Sequence, residues 1–138
     1  MKRSATARYE GLGKDGKGQV STQSGVLSGQ PYGFGTRFES EPGTNPEELI
    51  AAAHASCFTM ALSFGLAKAG HTGGTLETEA VVTLDKDGDG FKVTRSDLTL
   101  KGDIPGINRA EFERLAKEAE TNCPISKVLN AEITLTFA

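Results

Sequence analysis

The sequence predicts an α+β fold: a mostly antiparallel sheet, one long, buried central helix and a second, amphipathic helix. Three observations carry that reading. "GTNPEELIAAAHASCFTMALSFGLAKAG" is one uninterrupted helical segment with a start signal and a stop signal. "TLETEAVVTLD" and "GFKVTRSDLTLKGDI" alternate at period two on either side of "KDGDG", as the arms of a hairpin do. "NRAEFERLAKEAE" has the apolar spacing of a helix with one buried face, and strands and helices come in blocks rather than in strict alternation. The chain has 138 residues, which predicts a single domain, 1–138, able to bury a core without staples.

In chain order, the first forty residues read as strands and turns. "SATARYEG" alternates weakly, "KDGKG" supplies turn residues, and "QVST" resumes an extended pattern. "QPYGFGTRFES" reads as a strand, or as a loop ending in one, with Arg37 in the alternation between Phe34 and Phe38. In the long helix, Asn45 is the expected N-cap, Pro46 suits the first helical position, and Glu48 completes a capping-box spacing. Lys68 and Gly70 suit its end. The helix is apolar nearly all round, which requires cover on every side. Asn108 is the expected cap of the amphipathic helix, with Glu111 three residues on. "TNCPISKVLN" predicts a further helical piece starting at Cys123-Pro124, and "AEITLTF" a closing strand.

Composition excludes several classes of function. The net charge of −3 is spread without a basic stripe, so no nucleic-acid partner is expected. "MKRSATARYE" has no apolar stretch after its basic residues and is not read as a secretory signal. The one long apolar stretch carries His54, Ser56, Thr59 and Ser63 and opens on two glutamates, so a core helix fits it better than a membrane span. A cytoplasmic protein is expected, and there two cysteines are more often chemical than structural. "DKDGDG" begins like a calcium loop, but its twelfth position is Ser96 rather than Glu and strands flank it. His54 and Cys57 share a helix face, but two Cys and two His in the whole chain make a poor zinc site, and no metal is expected.

The cysteines remain. Cys57 lies among Ala53, His54, Met60 and Ala61 at helical spacing, where an apolar wall raises a thiol's pKa unless a cation is near. Cys123 precedes a proline and therefore avoids the α region, which puts it at the cap of "PISKVL". A helix start favours a thiolate or a leaving-group sulfur. Packing and redox chemistry both remain open on this reasoning, because a free cysteine is also a small hydrophobe.

"STQSGVLSGQPYGFGTRFES", "GTNPEELIAAAHASCFTMALS" and "CPISKVLNAEITL" together resemble the OsmC branch of the OsmC/Ohr proteins, peroxidases that reduce organic hydroperoxides with cysteine. The resemblance runs nearly end to end. It implies an OsmC-like fold and an intertwined homodimer with active sites at the interface. It also implies that Cys57 is the peroxidatic cysteine and Cys123 the resolving one. It implies further that Arg37 holds the thiolate and that Glu47 partners Arg37. Ala53, His54, Met60 and Phe34 are the residues expected to wall the pocket for the organic hydroperoxide. No bound cofactor is implied; an external dithiol, a lipoylated protein or a small dithiol, would recycle the disulfide. The competing reading is a non-catalytic small-molecule-binding or structural stress protein of the same fold.

Helix geometry adds one expectation. Glu47 and Cys57 lie ten residues apart on one predicted helix. That is about 15 Å along the axis and ~80° around it, beyond the reach of a glutamate. Composite sites, with Glu47 supplied by a second copy, follow if the helix is unbroken.

Overall fold

A two-residue turn at Gly88 and Asp89 organises the larger part of the structure, a computed structural model that describes residues 1–138. Only Gly88 has positive φ there (+60°), the requirement of the first central position in a type II′ hairpin turn. The turn sets the register from Asp87 opposite Gly90 to Thr75 opposite Asp103, with one irregularity at Thr83/Leu84. The chain divides into two units, Met1–Leu49 and Ile50–Ala138.

The first unit holds a three-stranded antiparallel sheet in the order β1 (Ala5–Glu10), β2 (Lys17–Thr22), β3 (Gln30–Tyr32). Its end departs from the strand-or-loop expectation for "QPYGFGTRFES". β3 stops at Tyr32, and Phe34–Phe38 form a short helix, α1, that carries Arg37. The cause is local. The Thr36 hydroxyl accepts the Gly33 N–H at 2.8 Å and closes the first turn. Phe34 and Phe38, four residues apart, stack with centroids 5.1 Å apart, so the spacing read as strand alternation is a helical contact.

The helix α2 (Pro46–Lys68) is continuous over 23 residues. Asn45 Oδ1 accepts the Glu48 N–H at 2.9 Å, the predicted cap. The Glu48 carboxylate does not return to the Asn45 backbone as a capping box requires; it accepts from the Thr44 hydroxyl at 2.7 Å. At the far end Gly70 takes φ +97°, and the N–H groups of Gly70 and His71 donate to the carbonyls of Ala67 and Leu66. Those two bonds are a Schellman closure, which needs the left-handed residue glycine supplies.

In the second unit, β4 (Thr75–Asp87), β5 (Gly90–Asp103) and β6 (Glu132–Phe137) form a sheet in that order, with β6 parallel to β5. The parallel return is made through α3 (Arg109–Asn122) and α4 (Pro124–Val128). Asn108 caps α3 as predicted, accepting the Glu111 N–H at 2.8 Å. Ser96, Leu98 and Leu100 are buried at alternate positions of β5, and His54, Phe58, Leu62 and Leu66 are buried every fourth residue on α2. Phe58, Leu62, Leu66, Leu98 and Leu100 make the core with Phe112, Leu115, Ala116, Ala119 and Cys123. The all-round apolar helix thus buries one stripe. Met60 and Phe64, on its other faces, are 62% and 70% exposed. By length and composition alone α2 could also cross a membrane, and its buried stripe is what ties it to a packed core.

Leu62 is wholly buried in that stripe. Leu62→Ala is expected to cost about 2–5 kcal/mol of unfolding free energy, because the transfer term and the cavity add. Urea denaturation measures it; a loss below about 1 kcal/mol would mean the site collapses around the alanine or is not core.

Candidate active site

The four residues singled out for chemistry form two local pairs. In the first unit, Arg37 and Glu47 are joined. Arg37 Nη2 donates to Glu47 Oε1 at 2.6 Å, and Arg37 Nε donates to both carboxylate oxygens at 3.1 and 3.2 Å. This side-on engagement uses the planar fork of the guanidinium and fixes its orientation. Glu47 sits in the first turn of α2, where the helix dipole favours a carboxylate. Phe38 lies beneath the guanidinium, with its ring centroid 5.5 Å away. A small cleft of about 210 Å³ opens beside Arg37, walled by Tyr9, Tyr32, Phe34, Phe38 and Pro46. Phe34, expected at the pocket, is therefore in an apolar wall next to the arginine.

In the second unit, Cys57 of α2 and Cys123 are free thiols that pack in one core cluster and interact electrostatically. Cys123 is both the C-cap of α3 and the N-cap of α4, with Pro124 following, as the Cys-Pro step predicts. Its N–H donates to Ala119 O at 2.9 Å. This double role leaves its sulfur wholly buried, while Cys57 remains partly exposed.

The two thiols are electrostatically unequal. Burial pushes the Cys57 thiol up, and so does its interaction with Cys123, against a smaller opposing effect of the Ile125 N–H. Burial also pushes Cys123 up, but the interaction with Cys57, the N–H and hydroxyl of Ser126, and the N–H of Ile125 together bring it below its ordinary value. A sulfur that accepts several hydrogen bonds is stabilised as thiolate.

The remaining pocket expectations divide. His54 does not line a pocket. Its ring is wholly buried and bonded at both nitrogens, Nδ1 to Ser96 Oγ at 2.6 Å and Nε2 to Ser126 Oγ at 2.8 Å. The reason is its place on the core-facing stripe of α2, four residues before Phe58. Met60 lines a wide groove with Thr59, Ser63, Leu76 and Ile104. Ala53 is exposed on α2. No group of three or more His, Cys, Asp and Glu side chains could hold a metal ion. Ser96 and Ser126 went unnoticed in the sequence. Neither carried a signal in the sequence, because the partner of both, His54, lies 42 and 72 residues away.

Residues 38–138 match the family model described as OsmC-like protein. The chain is 54% identical over 131 residues to a protein of Escherichia coli strain K12 named peroxiredoxin OsmC, covering 95% of this chain and 92% of that one. It is 38% identical over 99 residues to the organic hydroperoxide resistance protein OhrA of Bacillus subtilis strain 168, covering 70% of this chain and 67% of that one. The crystal structure of the organic hydroperoxide resistance protein OhrB of Bacillus subtilis matches the fold with a TM-score of 0.77 at 28% identity, over 100% of this chain and 98% of that one. The fold defines a class, small α+β proteins, and this chain carries two free cysteines within it. Within that class the chain belongs to the OsmC/Ohr family and to its OsmC branch.

Proposed function

We propose that this protein is a cysteine-based peroxidase that reduces organic hydroperoxides to alcohols. The observation that carries the reading is the pair of free, interacting thiols Cys57 and Cys123, the attacking candidate partly exposed and its partner buried. The names of its relatives, peroxiredoxin and organic hydroperoxide resistance protein, support a peroxidase-type role.

The chemistry runs in three steps. The Cys57 thiolate attacks the terminal oxygen of the hydroperoxide; an S–O bond forms, the O–O bond breaks, and the alkoxide leaves and takes a proton to become the alcohol. Arg37 stabilises first the thiolate and then the charge developing on the oxygens, while Glu47 holds its fork in place. The wall of Phe34, Phe38 and the two tyrosines accepts the alkyl part of the substrate. Cys57 is left as a sulfenic acid. Cys123 then attacks that sulfur and water leaves, which closes a Cys57–Cys123 disulfide. An external dithiol, small or carried as a lipoyl group, reduces the disulfide by exchange.

Two features support a homodimer with composite sites. α2 is unbroken through Glu47 and Cys57, so a glutamate cannot cover the distance along its own helix. The exposed apolar faces of α2 around Met60 and Phe64 suit burial against a second copy across a two-fold axis. We place the protein in the cytoplasm, where the dithiol is kept reduced.

One equivalent of cumene hydroperoxide should remove two free thiols per chain within the mixing time of a rapid thiol assay, with one equivalent of alcohol formed. Loss of the thiols only on the timescale of uncatalysed oxidation would favour a binding or structural protein of this fold.

A further inference from the structure

The steps above leave one buried titratable group unused. His54 stands between two hydroxyls, Ser96 Oγ at its Nδ1 and Ser126 Oγ at its Nε2, with no exposed surface. Ser126 stands three residues after Cys123, in the first turn of the helix that Cys123 begins, where its hydroxyl interacts electrostatically with the Cys123 sulfur. Four groups from three elements thus form one row: Ser96 on β5, His54 on α2, Ser126 on α4, and Cys123 at the head of α4. The charged neighbours of this row in sequence are engaged elsewhere. Arg95 and Asp97 bond each other on β5, and Lys127 is exposed.

Burial holds His54 below its ordinary pKa, so the ring is neutral and offers one donor and one acceptor. Two proton arrangements are possible. With the proton on Nδ1, the ring donates to Ser96, Ser126 must donate to Nε2, and its hydroxyl has only lone pairs left for the sulfur. With the proton on Nε2, Ser96 donates to Nδ1, the ring donates to Ser126, and the Ser126 proton is free for the sulfur. Only the second arrangement lets every hydrogen bond in the row point toward Cys123 and so favours a thiolate there.

We infer that His54 is a positioning residue for Cys123: by donating from Nε2 to Ser126 it turns the Ser126 hydroxyl proton onto the Cys123 sulfur and speeds disulfide closure. The inference rests on the resolving role proposed for Cys123. In that step the Cys123 thiolate forms the S–S bond and the S–O bond of the Cys57 sulfenic acid breaks. Cys123 is oxidised, the Cys57 sulfur is reduced, and hydroxide leaves and takes up a proton as water. A thiolate held by an oriented hydroxyl is present when the sulfenic acid appears, so no proton has to be lost first. A histidine that merely satisfies two buried serines would have no such effect on the rate.

The test compares Ser126→Ala, Ser126→Thr and His54→Asn. Thiolate absorbance of the reduced protein is read first. Cumene hydroperoxide is then added in stopped flow, and a sulfenic-acid trap separates formation of the sulfenic acid from its loss by closure. Ser126→Ala and His54→Asn are expected to lower the thiolate signal and to slow closure about tenfold or more, the scale of a hydrogen bond to a charged group. Ser126→Thr, which keeps the hydroxyl, restores both. A folded Ser126→Ala protein with the wild-type thiolate signal and closure rate overturns the inference. So does a Ser126→Thr protein as slow as Ser126→Ala. If His54→Asn does not fold, the two Ser126 variants decide alone. A wild-type protein that forms no sulfenic acid at all sinks the peroxidase reading instead, and the thiolate signal still decides whether Ser126 donates to Cys123.

Discussion

Cys57→Ser is expected to abolish peroxide consumption, while Cys123→Ser completes one fast turnover and then stalls as the sulfenic acid. The two cysteines invite the opposite assignment, because Cys123 is the thiol whose pKa is lowered and Cys57 the one whose pKa is raised. Access argues against it. Cys123 is wholly buried at the junction of α3 and α4, and Cys57 is partly exposed on α2. On the proposed peroxidase reading a peroxide would reach Cys57 first, and a guanidinium beside it would reverse the order of the two thiols by favouring its thiolate. Cys123, already inclined to the thiolate, is suited to the second step, in which only the neighbouring sulfur has to be reached. Stopped flow with a sulfenic-acid trap measures both steps. A fast first turnover in Cys57→Ser, lost in Cys123→Ser, would exchange the roles. Equal loss in both would remove the sequence of steps.

The second large effect is complementation between subunits. Glu47→Ala and Cys57→Ser chains, carrying different tags, are co-expressed and the heterodimer is purified. If Glu47 acts on Cys57 across a two-fold axis, one site regains both residues and the other loses both. Activity should then approach half that of the wild type, although each parent homodimer is weak. Arg37 and Glu47 are bound to one another within one chain, so they reach a thiol together. Arg37→Ala should therefore complement Cys57→Ser in the same way, which a site assembled from three chain segments independently would not require. A heterodimer no better than the Glu47→Ala homodimer, counted per intact Cys57, would place Glu47 within its own chain or outside the site.

How far the residues could be read in advance depended on the range of the interaction. α2 was legible at both ends and α3 at its start because caps are local. Asn45, Gly70 and Asn108 act on backbone groups within a few residues, and their side chain or φ preference is visible in the string. The Gly88–Asp89 hairpin and the Cys123–Pro124 helix start were legible for the same reason. "GFGTRF" was not. Aromatic residues at positions 34 and 38 fit either period, and the Thr36 hydroxyl bond that selects a helix is not a propensity.

The sequence by itself determined which residue types were available for the chemistry, where the helices and the long hairpin lay, and that two thiols would sit at chemically different positions. Only the tertiary structure decided that Arg37 meets Glu47 fork to carboxylate, that Cys57 meets Cys123, and that His54 is spent on Ser96 and Ser126 rather than on a pocket. These contacts join residues from ten to more than seventy positions apart. A contact at that separation is set by how sheet, helix and core stack, and hydrophobic periodicity specifies which face of each element turns inward but not which polar group it meets there. The partner of a buried histidine is decided by the one packing in which both of its nitrogens are satisfied, and that is a property of the folded molecule.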